Sequence, residues 1–248
     1  MTDWVLNPAF AEGEAGRLFA DLPSVFALQG ERITSDDISE VHKLCAEGRC
    51  YYIKRYVAAG KNLRRLIGRP RIRAEWENLL KFARWGIPTV PVVAYGMERN
   101  GLGFGRGALI TLGIDGTDDL AQLARRNDAR LRDRHWLAAM MTQVARATRT
   151  MHDHGFAHND LKWRNILVDR QAAPQVYFID CPAGSRWPGP LLRYRIIKDL
   201  ACLDKVGKYH LRRTDRLRFY LDYSQRERLT AADKKRIRAI LAFFEGRE

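Results

Sequence analysis

The run His158-Asn159-Asp160-Leu161-Lys162-Trp163-Arg164-Asn165-Ile166-Leu167-Val168 decides the reading of this chain. It sets out an acid, a base two residues on, an amide three residues after that, and then an apolar strand. Phosphoryl transfer asks a protein for little covalent work. It asks for positioned phosphates, a metal to neutralise charge, and a group that steers the attacking hydroxyl. This stretch holds a candidate for each of those tasks.

The order H-x-D-L-K-x-x-N is the catalytic-loop pattern of kinases. In it Asp160 would accept or orient the proton of the acceptor hydroxyl. Lys162 would reach the transferring γ-phosphate of ATP. Asn165 would bind Mg²⁺ through its side-chain oxygen, because Mg²⁺ prefers hard oxygen ligands. Asp180 ends the apolar strand Val176-Tyr177-Phe178-Ile179, fifteen residues after Asn165. A hairpin through Arg170–Pro174 would return it beside Asn165 as the main metal carboxylate. His158 reads as a structural residue that holds the loop by hydrogen bonds.

Working upstream, Trp136, Leu137, Met140, Met141, Val144 and Met151 mark one face of a helix from about His135 to His154, closed by Gly155. Gly113–Thr117 looks like a hinge. Val41–Tyr56 alternates and breaks at Glu47-Gly48, which predicts a hairpin with Cys50–Tyr56 as its second strand. An inward-pointing Lys54 on that strand would hold the α- and β-phosphates of the nucleotide. Its carboxylate partner would come from the helix Ala74–Trp85. Glu75 is favoured over Glu77, because Leu79, one turn on, would pack on the same core side. Val92–Tyr95 and Ala108–Leu112 read as strands around a glycine-rich turn, Gly101–Gly107. From Leu191 onward the pattern is helical. The expected class is α+β: a two-lobed, protein-kinase-like fold. Residues 1–112 would form an antiparallel sheet plus one helix that covers the nucleotide. Residues 113–248 would form a mainly helical lobe with the catalytic loop, the metal Asp and the acceptor site.

Two features depart from protein kinases. No G-x-G-x-x-G precedes Lys54, so Thr34–Ser39 would cover the phosphates with hydroxyls and backbone N–H groups. Cys-Pro-Ala-Gly follows Asp180, and only 68 residues remain after it. That is short for an activation segment and a large helical lobe, and it argues for a compact small-molecule or glycan kinase.

The 248 residues carry a formal charge of +14. It is unevenly placed: residues 1–40 hold eight acids and two bases, and the remainder 21 acids and 41 bases. Lys61–Arg73 alone has six bases and no acid. Such a field favours an anionic partner. The four cysteines, Cys45, Cys50, Cys181 and Cys202, form no C-x-x-C pair and read as reduced thiols of a cytosolic protein. The N-terminus is acidic, without the apolar core of a signal peptide, and no apolar run reaches bilayer-spanning length.

Spread over residues 40–225, the chain resembles the lipopolysaccharide core sugar kinases of the Kdo/WaaP type. The likeness rests on Arg73-Ala74-Glu75-Trp76 with Leu79 and Leu80, Gly86-Ile87-Pro88-Thr89, and His154-Gly155 before the catalytic loop. It continues with Asp180, with Lys198-Asp199-Leu200 and Leu203, and with Arg212-Arg213-Thr214-Asp215-Arg216-Leu217-Arg218-Phe219. The resemblance implies an ATP- and Mg²⁺-dependent kinase that phosphorylates a heptose or Kdo sugar of the inner core. It would act in the cytoplasm of a Gram-negative cell, peripherally on the inner membrane. Lys54, Asp160, Asn165 and Asp180 match the family's functional positions. The basic residues of the second half would bind core lipopolysaccharide, or the anionic inner-membrane surface. Two other classes compete. An aminoglycoside-type phosphotransferase would want an acidic acceptor pocket, against the charge seen here. A pseudokinase or nucleic-acid-binding module would not need the full set of four, and no nucleic-acid partner is expected.

Overall fold

The structure is a computed structural model that describes residues 2–60, 69–101 and 103–246. The chain divides into two units. One holds residues 1–81 and 90–115, the other residues 82–89 and 116–248.

In the first unit the chain order is β1 (Thr2–Leu6), α1 (Gly13–Leu18), α2 (Leu22–Ala27), β2 (Glu31–Ser35), β3 (Ser39–Ala46), β4 (Arg49–Tyr56), α3 (Arg71–Arg84), β5 (Val92–Asn100) and β6 (Gly103–Leu112). The six strands form one antiparallel sheet in the order β1-β5-β6-β4-β3-β2. Strand β4 shows how the sheet is dressed. Alternate residues face opposite ways. Tyr51 and Ile53 join Phe19, Leu22 and Val25 in a core beneath α1 and α2. Arg55, on the same face and buried, donates to the carbonyls of Val25 and Leu28. Lys54 and Tyr56 turn to the other face, where Glu75 of α3 receives both. The sheet and α3 were expected. The two short helices covering the opposite face were not.

The β3–β4 turn has both central residues at positive φ, Glu47 at 49° and Gly48 at 72°. That is the two-residue turn whose twist matches a hairpin. It sets Cys45 directly opposite Cys50, Cα to Cα 4.0 Å, and the pair forms a disulfide. The expectation of four reduced thiols is therefore corrected, and the cysteine count no longer argues for a compartment. Cys181 and Cys202 are free and buried. The glycine-rich stretch is also reassigned. Only Gly101 sits at the turn, while Gly103–Gly107 belongs to β6 because the pairing with β5 runs through Asn100↔Gly103. Of the basic run Lys61–Arg73, residues 61–68 lie outside the described residues. Arg69 and Arg73 both pair with Glu77 at 2.8 Å.

The second unit takes in the end of α3, which stops in a Schellman arrangement. Ile87 N–H returns to Phe82 O and Gly86 N–H to Ala83 O, with Gly86 at φ 68°. Next come β7 (Thr117–Asp119), α4 (Leu120–Arg125), α5 (Arg134–Asp153), β8 (Phe156–Ala157), β9 (Ile166–Asp169), β10 (Val176–Phe178) and β11 (Ser185–Arg186). Three helices close the chain: α6 (Gly189–His210), α7 (Arg213–Ser224) and α8 (Ala231–Leu241). Asp133 caps α5 by accepting from His135 N and Trp136 N, and the six apolar residues read from the sequence are all buried. Strands β10, β9 and β7 pair in that order into a small antiparallel sheet, and Asp118 of β7 ties it to its surroundings. Burial alone would raise its carboxyl, but hydrogen bonds from Arg126, Arg170 and Arg130 hold it well below the usual carboxylate range. The architecture is thus α+β, an antiparallel sheet followed by a helical part, as expected. No helix among the described residues is long and apolar enough to cross a membrane.

Gly96 lies where β1 crosses β5. A Cβ there would stand 2.0 Å from the Asp3 carbonyl oxygen, whereas one on Gly103 would meet nothing closer than 3.6 Å. Thermal and denaturant unfolding should therefore show Gly96→Ala losing about 1–3 kcal/mol. Gly103→Ala should change stability by no more than about 0.5 kcal/mol. Equal effects at both sites would refute the close approach of β1.

Candidate active site

The loop after β8 is held by a carboxyl group forty residues away. Asp199, fully buried on α6, accepts the backbone N–H of His158 at 2.7 Å and that of Asn159 at 2.8 Å. His152 Nε2 stands 3.4 Å from the same carboxyl, and its Nδ1 meets the Tyr223 hydroxyl at 2.8 Å. Asn159 takes a left-handed conformation, φ 65°, and its amide donates to Ala157 O and Ala183 O. The chain reverses there, and Asp160 emerges on the exposed side of the loop.

From Asp160 to Asn165 the loop winds one tight turn. Lys162 N–H returns to Asp160 O, and Asn165 N–H to Lys162 O. Trp163 plugs the turn into the core and donates its indole N–H to Leu203 O at 2.8 Å. The Asn165 Nδ2 group donates to Asp160 O at 2.9 Å. That bond fixes which way the amide points and commits its nitrogen, leaving the oxygen as the end that can serve a cation. Ile179 N–H donates to Asn165 O, so the strand carrying Asp180 runs alongside Asn165. Asp180 itself sits at φ 56°, a left-handed turn away from the strand. Lys162 Nζ lies 2.6 Å from Asp160 Oδ1, and Arg164 Nη2 lies 3.5 Å from Oδ2.

His158 is placed differently from the expectation. Its ring is fully buried against Phe82, and neither ring nitrogen has a hydrogen-bond partner among the described residues. Burial pushes its pKa down, with the carboxylates of Asp199, Asp160 and Asp180 pulling the other way. It supports the loop by packing and through its backbone N–H, not through hydrogen bonds of the ring.

In the first unit Lys54 Nζ is 2.8 Å from Glu75 Oε1, while Tyr56 donates to Oε2 at 2.7 Å. Glu77 points elsewhere, to Arg69 and Arg73. The stretch Thr34–Ser39 is the end of β2, the turn Asp36-Asp37-Ile38 and the first residue of β3, and its amides are not all available. Asp36 Oδ1 already accepts from Ile38 N, Ser39 N and Ser39 Oγ. The sequence pattern alone assigns Asp199 no role beyond its place in the family resemblance. The signal was present: a lone acid in the apolar helical run Ile196-Ile197-Lys198-Asp199-Leu200-Ala201. Such an acid must find partners when it is buried. Tyr56 and Arg164 were also passed over.

A solved structure described as WaaP in complex with acyl carrier protein superposes with a TM-score of 0.76 at 24% identity, covering 98% of this chain and 97% of that one. At that identity the likeness establishes the fold, which is protein-kinase-like. No curated protein sequence matches the chain. The profile of the lipopolysaccharide kinase (Kdo/WaaP) family matches residues 25–237. An Asp–Lys–Asn loop on a kinase-like fold, with a family match over most of its length, makes this chain a member of the lipopolysaccharide kinase (Kdo/WaaP) family.

Proposed function

We propose that the protein transfers the γ-phosphate of ATP to a hydroxyl of a heptose or Kdo sugar in the lipopolysaccharide inner core. The observation that carries this is the loop built on Asp199, which presents Asp160, Lys162 and Asn165 in one turn with Asp180 just past the end of the adjoining strand β10. Asp160 would orient the sugar hydroxyl and take its proton. Its Oδ2 is the freer oxygen, because Lys162 already sits on Oδ1. Lys162, about half exposed, would swing to the transferring phosphoryl group. Lys54, steadied by Glu75, would hold the α- and β-phosphates. Asn165 and Asp180 suit Mg²⁺. They offer one amide and one carboxylate oxygen, and no cluster of three or more His, Cys, Asp or Glu encloses a metal among the described residues. A cation that keeps water and phosphate oxygens as ligands needs no more than that from protein. When bound, Mg²⁺ would neutralise charge on the transferring group. On this reading the work would be done at the cytoplasmic face of the inner membrane, where ATP is available and where a net charge of +14 favours anionic headgroups.

A cavity in the second unit supports an acyl carrier protein as a further partner, as for the WaaP structure. It measures about 490 Å³ and is lined by Met140, Val144, Trp163, Leu203, Phe219 and Ile240. Arg216 and Asp204, paired at 2.6 Å, also line it. A fatty acyl chain fits such a lining, and each methylene buried there contributes about 0.8 kcal/mol.

Incubation with ATP, Mg²⁺ and lipopolysaccharide from a strain lacking this gene should add one phosphate to the core, read by mass spectrometry. Asp160→Ala should lower kcat by about 10²–10⁴-fold while retaining ATP binding. Lys54→Ala should weaken productive nucleotide binding. Unchanged transfer by Asp160→Ala refutes its role. For the second partner, acyl carrier protein charged with a long acyl chain should bind at least tenfold more tightly than the uncharged form in calorimetry. Equal affinities would remove the acyl chain from the cavity.

A further inference from the structure

Four helices of the second unit converge on a cleft of about 510 Å³ that none of the catalytic residues line. Its walls carry Arg149 from the last turns of α5, Arg193 from α6, Lys235 and Arg236 from α8, and Arg226 from the α7–α8 turn. Asp153 is the one acid in the wall, and Arg149 already grips it at 2.7 Å. Arg226 leans on Asp233 at 3.7 Å, just behind. Arg193 and Lys235 make no ion pair among the described residues.

The floor is built and polar. Tyr223, His152 and Ser224 are all buried there. Burial pushes the Tyr223 hydroxyl up, against the opposing pull of Arg236 and Arg149. Its hydroxyl meets His152 Nδ1 at 2.8 Å. Like charges gathered in a concave, partly desolvated site focus a positive field, and an anion of matching geometry relieves it. Guanidinium forks favour phosphate, which they grip through paired N–H groups. We propose that this cleft is a binding site for a phosphate-bearing anion, separate from the catalytic loop. Its floor is continuous with that loop through Tyr223, His152 and Asp199. The phosphate belongs to a soluble phosphorylated molecule or to a phospholipid headgroup.

The test measures binding, not transfer, so it stands apart from the kinase assignment; Asp160→Ala should bind as the unaltered protein does. The probes are inorganic pyrophosphate, followed by calorimetry, and vesicles of phosphatidylglycerol against phosphatidylcholine, followed by flotation. The double variant Arg193→Glu/Lys235→Glu should bind at least tenfold more weakly. Arg193→Gln/Lys235→Gln should fall between, with melting curves confirming that both fold. Arg132→Glu/Arg134→Glu makes the same charge change on exposed residues outside the cleft and should bind normally. Loss in the pyrophosphate arm identifies a soluble phosphate ligand. Loss confined to the phosphatidylglycerol arm identifies a lipid headgroup. Equal loss in the cleft and control variants, or no binding of either probe, overturns the proposal.

Discussion

The loop from His158 to Asn165 depends on one buried carboxyl group. Asp199 lies inside the second unit with no exposure, and both its oxygens are taken by the backbone N–H groups of His158 and Asn159. Burying a polar group without partners costs several kcal/mol, and leaving two buried amides unsatisfied costs about 1–3 kcal/mol each. Each side of this contact therefore requires the other. Everything downstream is a consequence of where it pins the chain. Asn159 turns left-handed, Asp160 projects, Trp163 anchors on Leu203, and the Asn165 amide closes back on Asp160. The same carboxyl meets His152, which carries its influence to Tyr223 and the cationic cleft.

The first unit uses the same logic on a strand. Neighbouring residues of β4 are cations that face opposite sides of the sheet. Arg55 is consumed by the carbonyls of the helical cover, and Lys54 by Glu75 of α3. The period of two decides which cation meets the helical cover and which meets α3. Tyr56, two residues on from Lys54, fixes the second oxygen of Glu75, so the carboxylate is held from two directions. The disulfide closing the β3–β4 hairpin lies at the far end of the same strand.

What was legible in the sequence was local. The catalytic loop is contiguous, the β3–β4 hairpin carries its turn in Glu47-Gly48, and α5 spans enough turns for its apolar stripe to show. Lys54 and Glu75 could be paired because a strand and a helix each have a fixed period. The remainder needed three dimensions. Strand β2 is exposed along its whole length, so it has no alternation to read. Helices α1 and α2 are six residues each, too short for a period. The glycines of β6 look like a turn until pairing with β5 places them in the sheet. The Cys45–Cys50 pairing did not need three dimensions, because counting back from the turn at Glu47-Gly48 already sets the two cysteines opposite each other. The partners of Asp199 lie 40 and 41 positions away, and the cleft draws from four helices.

If Asp199 is the constraint on which the loop rests, then the two amides it holds are among the best protected in the molecule. Native-state hydrogen exchange reads this directly. His158 and Asn159 should exchange as slowly as the amides of Met140 and Met141 in the core of α5. Asp199→Asn should speed these two by at least tenfold while the α5 rates stay unchanged. Exchange of His158 and Asn159 in the unaltered protein at the rate of the exposed Arg226–Arg228 turn would contradict the account.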